Sequence, residues 1–172
     1  MNEKIWKLLL NLPWEEKKKF IEIDTRGRIL MMSVDIEFSL LAIMMYCAPD
    51  PFNKQRLFKG MTMGEKIQNT VKDLKDHKPQ LYQKYKAELA SLEEYRIVRN
   101  DMAHHTIEFH EPDNLRKFRA RFVGEENKKE TFFYRDYTVE YLVDFVNRFR
   151  AVNLVFAELV DTLKKEYNNG IA

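Results

Sequence analysis

Apolar residues recur every three or four positions along most of this chain, which predicts a mainly helical protein. Residues 2–12 read as a short helix, and Pro13 suits the first turn of the next. From Trp14 to Ala48 the pattern stays helical, with a kink expected near Thr25-Arg26-Gly27. Between Ile29 and Cys47 apolar positions fall all round the helical wheel, so a central, buried helix is expected there. Pro49-Asp50-Pro51 ends it. Thr62 is placed to cap a helix from Met63 to about Asp76, with Ile67, Val71 and Leu74 on one face. A third helix is expected from Pro79 to about Ala103, its core line carried by Leu81, Tyr85, Leu89 and Leu92. Thr138 then caps a final helix with Leu142, Phe145, Val146, Phe149, Val152, Phe156, Leu159 and Leu163 at helical spacing.

One stretch breaks the pattern. Ile107 and Phe109 alternate with Thr106, Glu108 and His110, and Phe118, Ala120 and Phe122 alternate with Lys117, Arg119 and Arg121. Gly124 to Lys129 reads as a turn, and Thr131 to Tyr134 is rich in strand formers. This period of two predicts a small β-hairpin or three-stranded sheet over about 106–137. The whole is an up-and-down four-helix bundle with a small β-hairpin inserted before the last helix, in a single domain over 1–172.

Composition narrows the function. The 172 residues suit one domain, and only five Gly and five Pro favour long helices over a many-turned β protein. With a single cysteine, Cys47, no intramolecular disulfide framework is available, in keeping with a reducing compartment. Cys47 lies in an apolar run and reads as an inert buried thiol. Twenty-nine basic against 27 acidic residues leave a net charge of +2, so nucleic-acid binding must rest on local clustering. The N-terminal apolar stretch is broken by Lys7 and lacks a cleavage site. The window Phe38 to Ala48 is about half of a bilayer span. A soluble, cytoplasmic protein without a membrane partner is the expectation.

The segment that carries chemistry is Tyr95-Arg96-Ile97-Val98-Arg99-Asn100-Asp101-Met102-Ala103-His104-His105. Continuing the core line of the third helix brings Arg96, Arg99 and Ala103 onto it, and Asn100 stacks with His104 on the flank. A charge on an apolar stripe needs a partner or solvent. The plain alternative is that Arg96 and Arg99 pair with Asp35 and Glu37 of the central helix. Basic residues Arg116, Lys117, Arg119, Arg121, Lys128, Lys129 and Arg135 lie among Phe118, Phe122, Phe132, Phe133 and Tyr134. Such a face can track a phosphate backbone, or can be the solvated side of a half-buried hairpin. His104, His105 and His110 with Glu108 and Glu111 lack metal-site spacing, and no Gly-rich phosphate loop occurs, so no metal or cofactor is expected.

Arg99-Asn100-Asp101-Met102-Ala103-His104 resembles the signature of HEPN domains: an arginine, a polar residue directly after it, and a histidine a few positions on. The stretch Leu57-Phe58-Lys59-Gly60-Met61-Thr62-Met63-Gly64-Glu65-Lys66-Ile67 resembles the start of the second helix in many members. Asp24-Thr25-Arg26-Gly27-Arg28 is similar to the mannitol-operon-repressor-like branch. The resemblance covers about 25–105 and the final helix, not the hairpin. It implies a homodimer whose facing motifs form a metal-independent endoribonuclease of the toxin or antiviral-defence kind. Arg99, Asn100 and His104 would be catalytic, Arg96 and His105 supporting, and Lys117, Arg119 and Arg121 would bind RNA. A cognate antitoxin protein is then a possible partner. Many members are silent, so the resemblance equally implies a non-catalytic dimeric binding module or a regulator like the mannitol operon repressor. One toxin subgroup carries a modifiable tyrosine two residues beyond the histidine. Thr106 stands there, against regulation of that kind.

Overall fold

In the computed structural model, backbone is described for residues 8, 11–48, 51–104, 106–110, 119–125 and 132–170, with side chains for these except 21, 52 and 106–134. The chain is mainly helical. Its elements are α1 (Trp14–Lys19), a π-helical segment (Phe20–Thr25), α2 (Arg26–Cys47), α3 (Pro51–Phe58), α4 (Met63–His77), α5 (Pro79–Lys84) and α6 (Lys86–His104). Then come β1 (Thr106–His110), β2 (Arg119–Glu125), β3 (Phe132–Thr138) and α7 (Val139–Asn168). The expected helix over 2–12 lies mostly outside the described residues.

Local chemistry accounts for most boundaries. Thr62 and Glu65 form a capping box at the start of α4, each side chain satisfying the other's backbone N–H. Thr138 Oγ1 accepts from the Tyr141 amide at 3.1 Å, as its position predicted. Near Thr25, where a kink was expected, Phe20–Thr25 form a π-helical turn. After Pro51, where no element was expected, that proline opens the helix α3. One expectation is corrected. The third helix is two, since Tyr85 at φ −107° leaves helical geometry between α5 and α6.

The chain folds as two compact units that share the lengths of α2, α6 and α7. The first is Met1–Met31 with Val98–Arg150. Its sheet has the order β1-β2-β3, antiparallel throughout, which realises the alternation read from the sequence. Ile29, Val98, Met102, Tyr137, Val139, Leu142, Phe145 and Phe149 are buried. Tyr137, Tyr141, Phe145 and Phe149 form a run of ring contacts along the start of α7, with centroids 5.4, 6.0 and 4.4 Å apart.

The second unit is Met32–Ile97 with Ala151–Ala172. Ile36, Leu40, Ile43, Met44, Leu74, Leu92, Tyr95, Phe156 and Leu159 form its core, and ion pairs Lys54–Asp73, Lys66–Glu37 and Lys78–Glu166 lie around it. Cys47 is buried here, and loss of hydration pushes its thiol up to about 12.

The expectation that α2 is buried all round is overturned. Ile29, Ser33, Ile36, Leu40, Ile43, Met44 and Cys47 face inward, but Met31, Val34 and Phe38 are 74%, 54% and 69% exposed. The estimate that the apolar window spans half a bilayer is also too short. The run Trp14–Cys47 holds an 18-residue window of mean hydropathy 1.7, enough by length and composition to cross a membrane. Core helices of soluble proteins pass the same test.

Candidate functional site

The last turns of α6 carry the motif, and each residue has a distinct environment. Val98 and Met102 point inward, four residues apart. Asp101, between them, is also buried, at 1% exposure. A carboxylate so placed must be paired. Arg135 Nη1 on β3 donates to both its oxygens, at 2.9 and 2.7 Å, and Tyr137 Oη donates to Oδ2 at 2.6 Å. Burial, then the hydrogen bond to Asp101, push the Tyr137 phenol well above its usual range. Burial works against the Arg135 charge, but the bond to Asp101 outweighs it and raises that pKa. The network clamps the end of α6 to β3.

Around this anchor the motif residues are more open. Arg99 Nη1 donates to Asn100 Oδ1 at 3.2 Å, and both side chains are partly buried. His104 is the final residue of α6 and is exposed. The three therefore occupy one helix end, with the guanidinium and amide in contact and the imidazole one turn beyond.

The expected core line of α6 is corrected at this end. Tyr85, Leu89 and Leu92 are buried as read, but burial then passes to Tyr95, Val98 and Met102 rather than to Arg96, Arg99 and Ala103. Arg96 instead pairs with Glu93 one turn back, and its Cδ lies 3.5 Å from where a Cβ on Gly64 would stand. The carboxylates proposed as partners for the arginines have other contacts. Glu37 pairs with Lys66, and Asp35 accepts from Asn153 Nδ2 at 3.3 Å.

Among the expected RNA-binding residues, Arg119 sits in register between His110 and Thr138. Arg121 sits between Glu108 and Asp136, so acidic positions flank it on both neighbouring strands. Lys117 and His105 lie outside the described residues. Among the described residues no three His, Cys, Asp or Glu groups gather as metal ligands. A cleft of about 230 Å³ between Phe20, Asp24, Thr25 and Arg28 and Val143, Val146 and Asn147 contains none of the motif residues.

Sequence reasoning missed the Asp101 network. Its signal was present: Asp101 shares the helical phase of Val98 and Met102, while Arg135 and Tyr137 are two apart on a predicted strand. Nothing matches this chain among family models, curated proteins or solved structures.

Proposed function

We propose that this protein is a HEPN-like, metal-independent endoribonuclease of the toxin or defence kind, cytoplasmic and active as a homodimer. In this reading α2, α4, α6 and α7 are a four-helix bundle and the sheet is an insertion. One observation supports it above the others: Arg99, Asn100 and an exposed His104 share the end of a helix that Asp101, Arg135 and Tyr137 hold in place.

The side chains suit the chemistry of RNA transesterification. An imidazole open to solvent can take the proton from a ribose 2′-hydroxyl. The 2′-oxygen then attacks phosphorus, the bond to the 5′-oxygen breaks, and a second imidazole protonates that leaving oxygen. The products are a 2′,3′-cyclic phosphate and a 5′-hydroxyl. A single chain supplies one His104, so the second comes from the partner's His104. Arg99 would hold the scissile phosphate and offset the charge that builds on its oxygens. Its contact with Asn100 Oδ1 limits the guanidinium's freedom before substrate arrives.

The test is RNA cleavage in excess EDTA by the wild type and by His104→Ala. Cleavage that survives EDTA and falls about 10²–10⁴-fold in the variant supports the reading. Intact RNA with the wild type, or unchanged cleavage in the variant, defeats it. A non-catalytic dimeric module or regulator would then be the better description.

A further inference from the structure

Met31, Val34 and Phe38 are large, apolar and more than half exposed, and all three lie on α2. With Gly27 before them and Leu41 after, their spacing runs four, three, four, three. That is the spacing of a seam between two helices. Because α2 is one unbroken helix, the line of these residues is set by the helix alone. Beside it Val34, Phe38 and Leu41 wall an apolar hollow of about 220 Å³ with Glu37 and Phe58.

We propose that this seam binds α2 of a second copy of the chain, antiparallel, about a two-fold axis between Met32 and Ser33. Reversal about that point sets Gly27 against the partner's Phe38 and Met31 against the partner's Val34, and then repeats the two layers. A residue without a side chain thus meets the bulkiest one. Gly27 otherwise has no packing reason to be glycine: a Cβ added there meets nothing within 4 Å, and glycine weakens a helix. The charges agree. Asp24, Arg28 and Asp35 lie on one flank of the seam, and in antiparallel pairing like flanks meet. Arg28 then faces the partner's Asp35, twice. Within its own chain Arg28 bonds to exposed Asp24, and Asp35 to Asn153, contacts that leave both at the surface. A lipid surface fits less well, since it would strip water from those charges without supplying counter-charges. The inference deepens the dimer in the proposed function, but its tests read association rather than RNA.

Sedimentation of the full chain across the micromolar range is expected to show a dimer. Phe38→Glu and Gly27→Leu should each weaken it roughly thirtyfold or more, with melting temperature and circular dichroism little changed at these open positions. Arg28→Asp or Asp35→Arg alone should weaken it about tenfold, and the two together should restore it. A wild type monomeric at every concentration overturns the proposal, as do variants that pair as tightly as the wild type. So does binding of monomers to phosphatidylcholine vesicles that Phe38→Glu abolishes. A dimer that cleaves RNA and that Phe38→Glu leaves intact removes the seam and keeps the nuclease. A dimer broken by Phe38→Glu that never cleaves RNA does the reverse.

Discussion

Two charged contacts sit two turns apart on α6, and their surroundings give them different worth. Arg96 and Glu93 pair at the surface, three residues apart on one helix. Asp101 is buried and draws its partners from β3, 34 and 36 residues along the chain. The first pair gives up little hydration and gains little. Measured exposed pairs contribute about 0.2–1 kcal/mol. The second cannot be broken halfway without leaving a buried charge, and that penalty, not the attraction itself, makes it structural. The comparison also separates roles inside the motif: Asp101 holds the helix end, and His104, three residues on, remains open to solvent.

The comparison breaks first at Arg135. Arg135→Met takes from the buried Asp101 carboxylate the cation of its ion pair, and should cost about 3 kcal/mol in urea denaturation, at the lower end for a broken buried pair because Arg135 is itself 43% exposed. A loss below about 1 kcal/mol would show that Asp101 reaches water instead.

Tyr137→Phe comes next. It keeps the ring stack on Tyr141 and removes one hydrogen bond to a carboxylate, worth about 1.5–3 kcal/mol. The phenol's pKa is raised in the folded state, so its contribution is full below the ordinary tyrosine range and is lost as pH rises above about 10. The wild type should therefore lose stability on the alkaline side more steeply than Tyr137→Phe, as melting temperatures across that range would record.

Glu93→Gln should change stability by no more than about 0.5 kcal/mol. The bond to Arg96 holds the Glu93 carboxyl below its usual range, so this small contribution is present above the ordinary glutamate range and fades as pH falls through it. A larger loss would mean that Arg96 depends on Glu93 for its place beside Gly64.

His104→Ala should have the smallest effect on folding. An exposed residue at a helix end carries little stability, so its melting curve should overlay the wild type. Unfolding of this variant would return His104 to a structural role.

Several features were legible because local rules produce them. The capping box needs only Thr62 and Glu65, and the strands were legible from alternation over 106–110 and 117–122 and from the strand formers over 131–134, although β2 runs on through Gly124 and Glu125, where a turn was expected. The place of Arg99, Asn100 and His104 at the end of a helix followed from the pattern preceding them. What was not legible depended on distant neighbours. Two arginines were read onto the core line of α6, yet burial moves round the helix to Tyr95, Val98 and Met102. The basic run through Arg119 and Arg121 took no account of register, which sets Glu108 and Asp136 opposite Arg121.

By itself the sequence determined which long stretches are helix and which is strand, and which residues share a helix turn, because those follow from backbone geometry and nearest neighbours. Only the tertiary structure decided which face of α2 is covered and which carboxylate of the motif segment is buried. Periodicity marks the apolar faces of a helix. Which one loses its water depends on what packs there, and for α2 the chain leaves Met31, Val34 and Phe38 exposed.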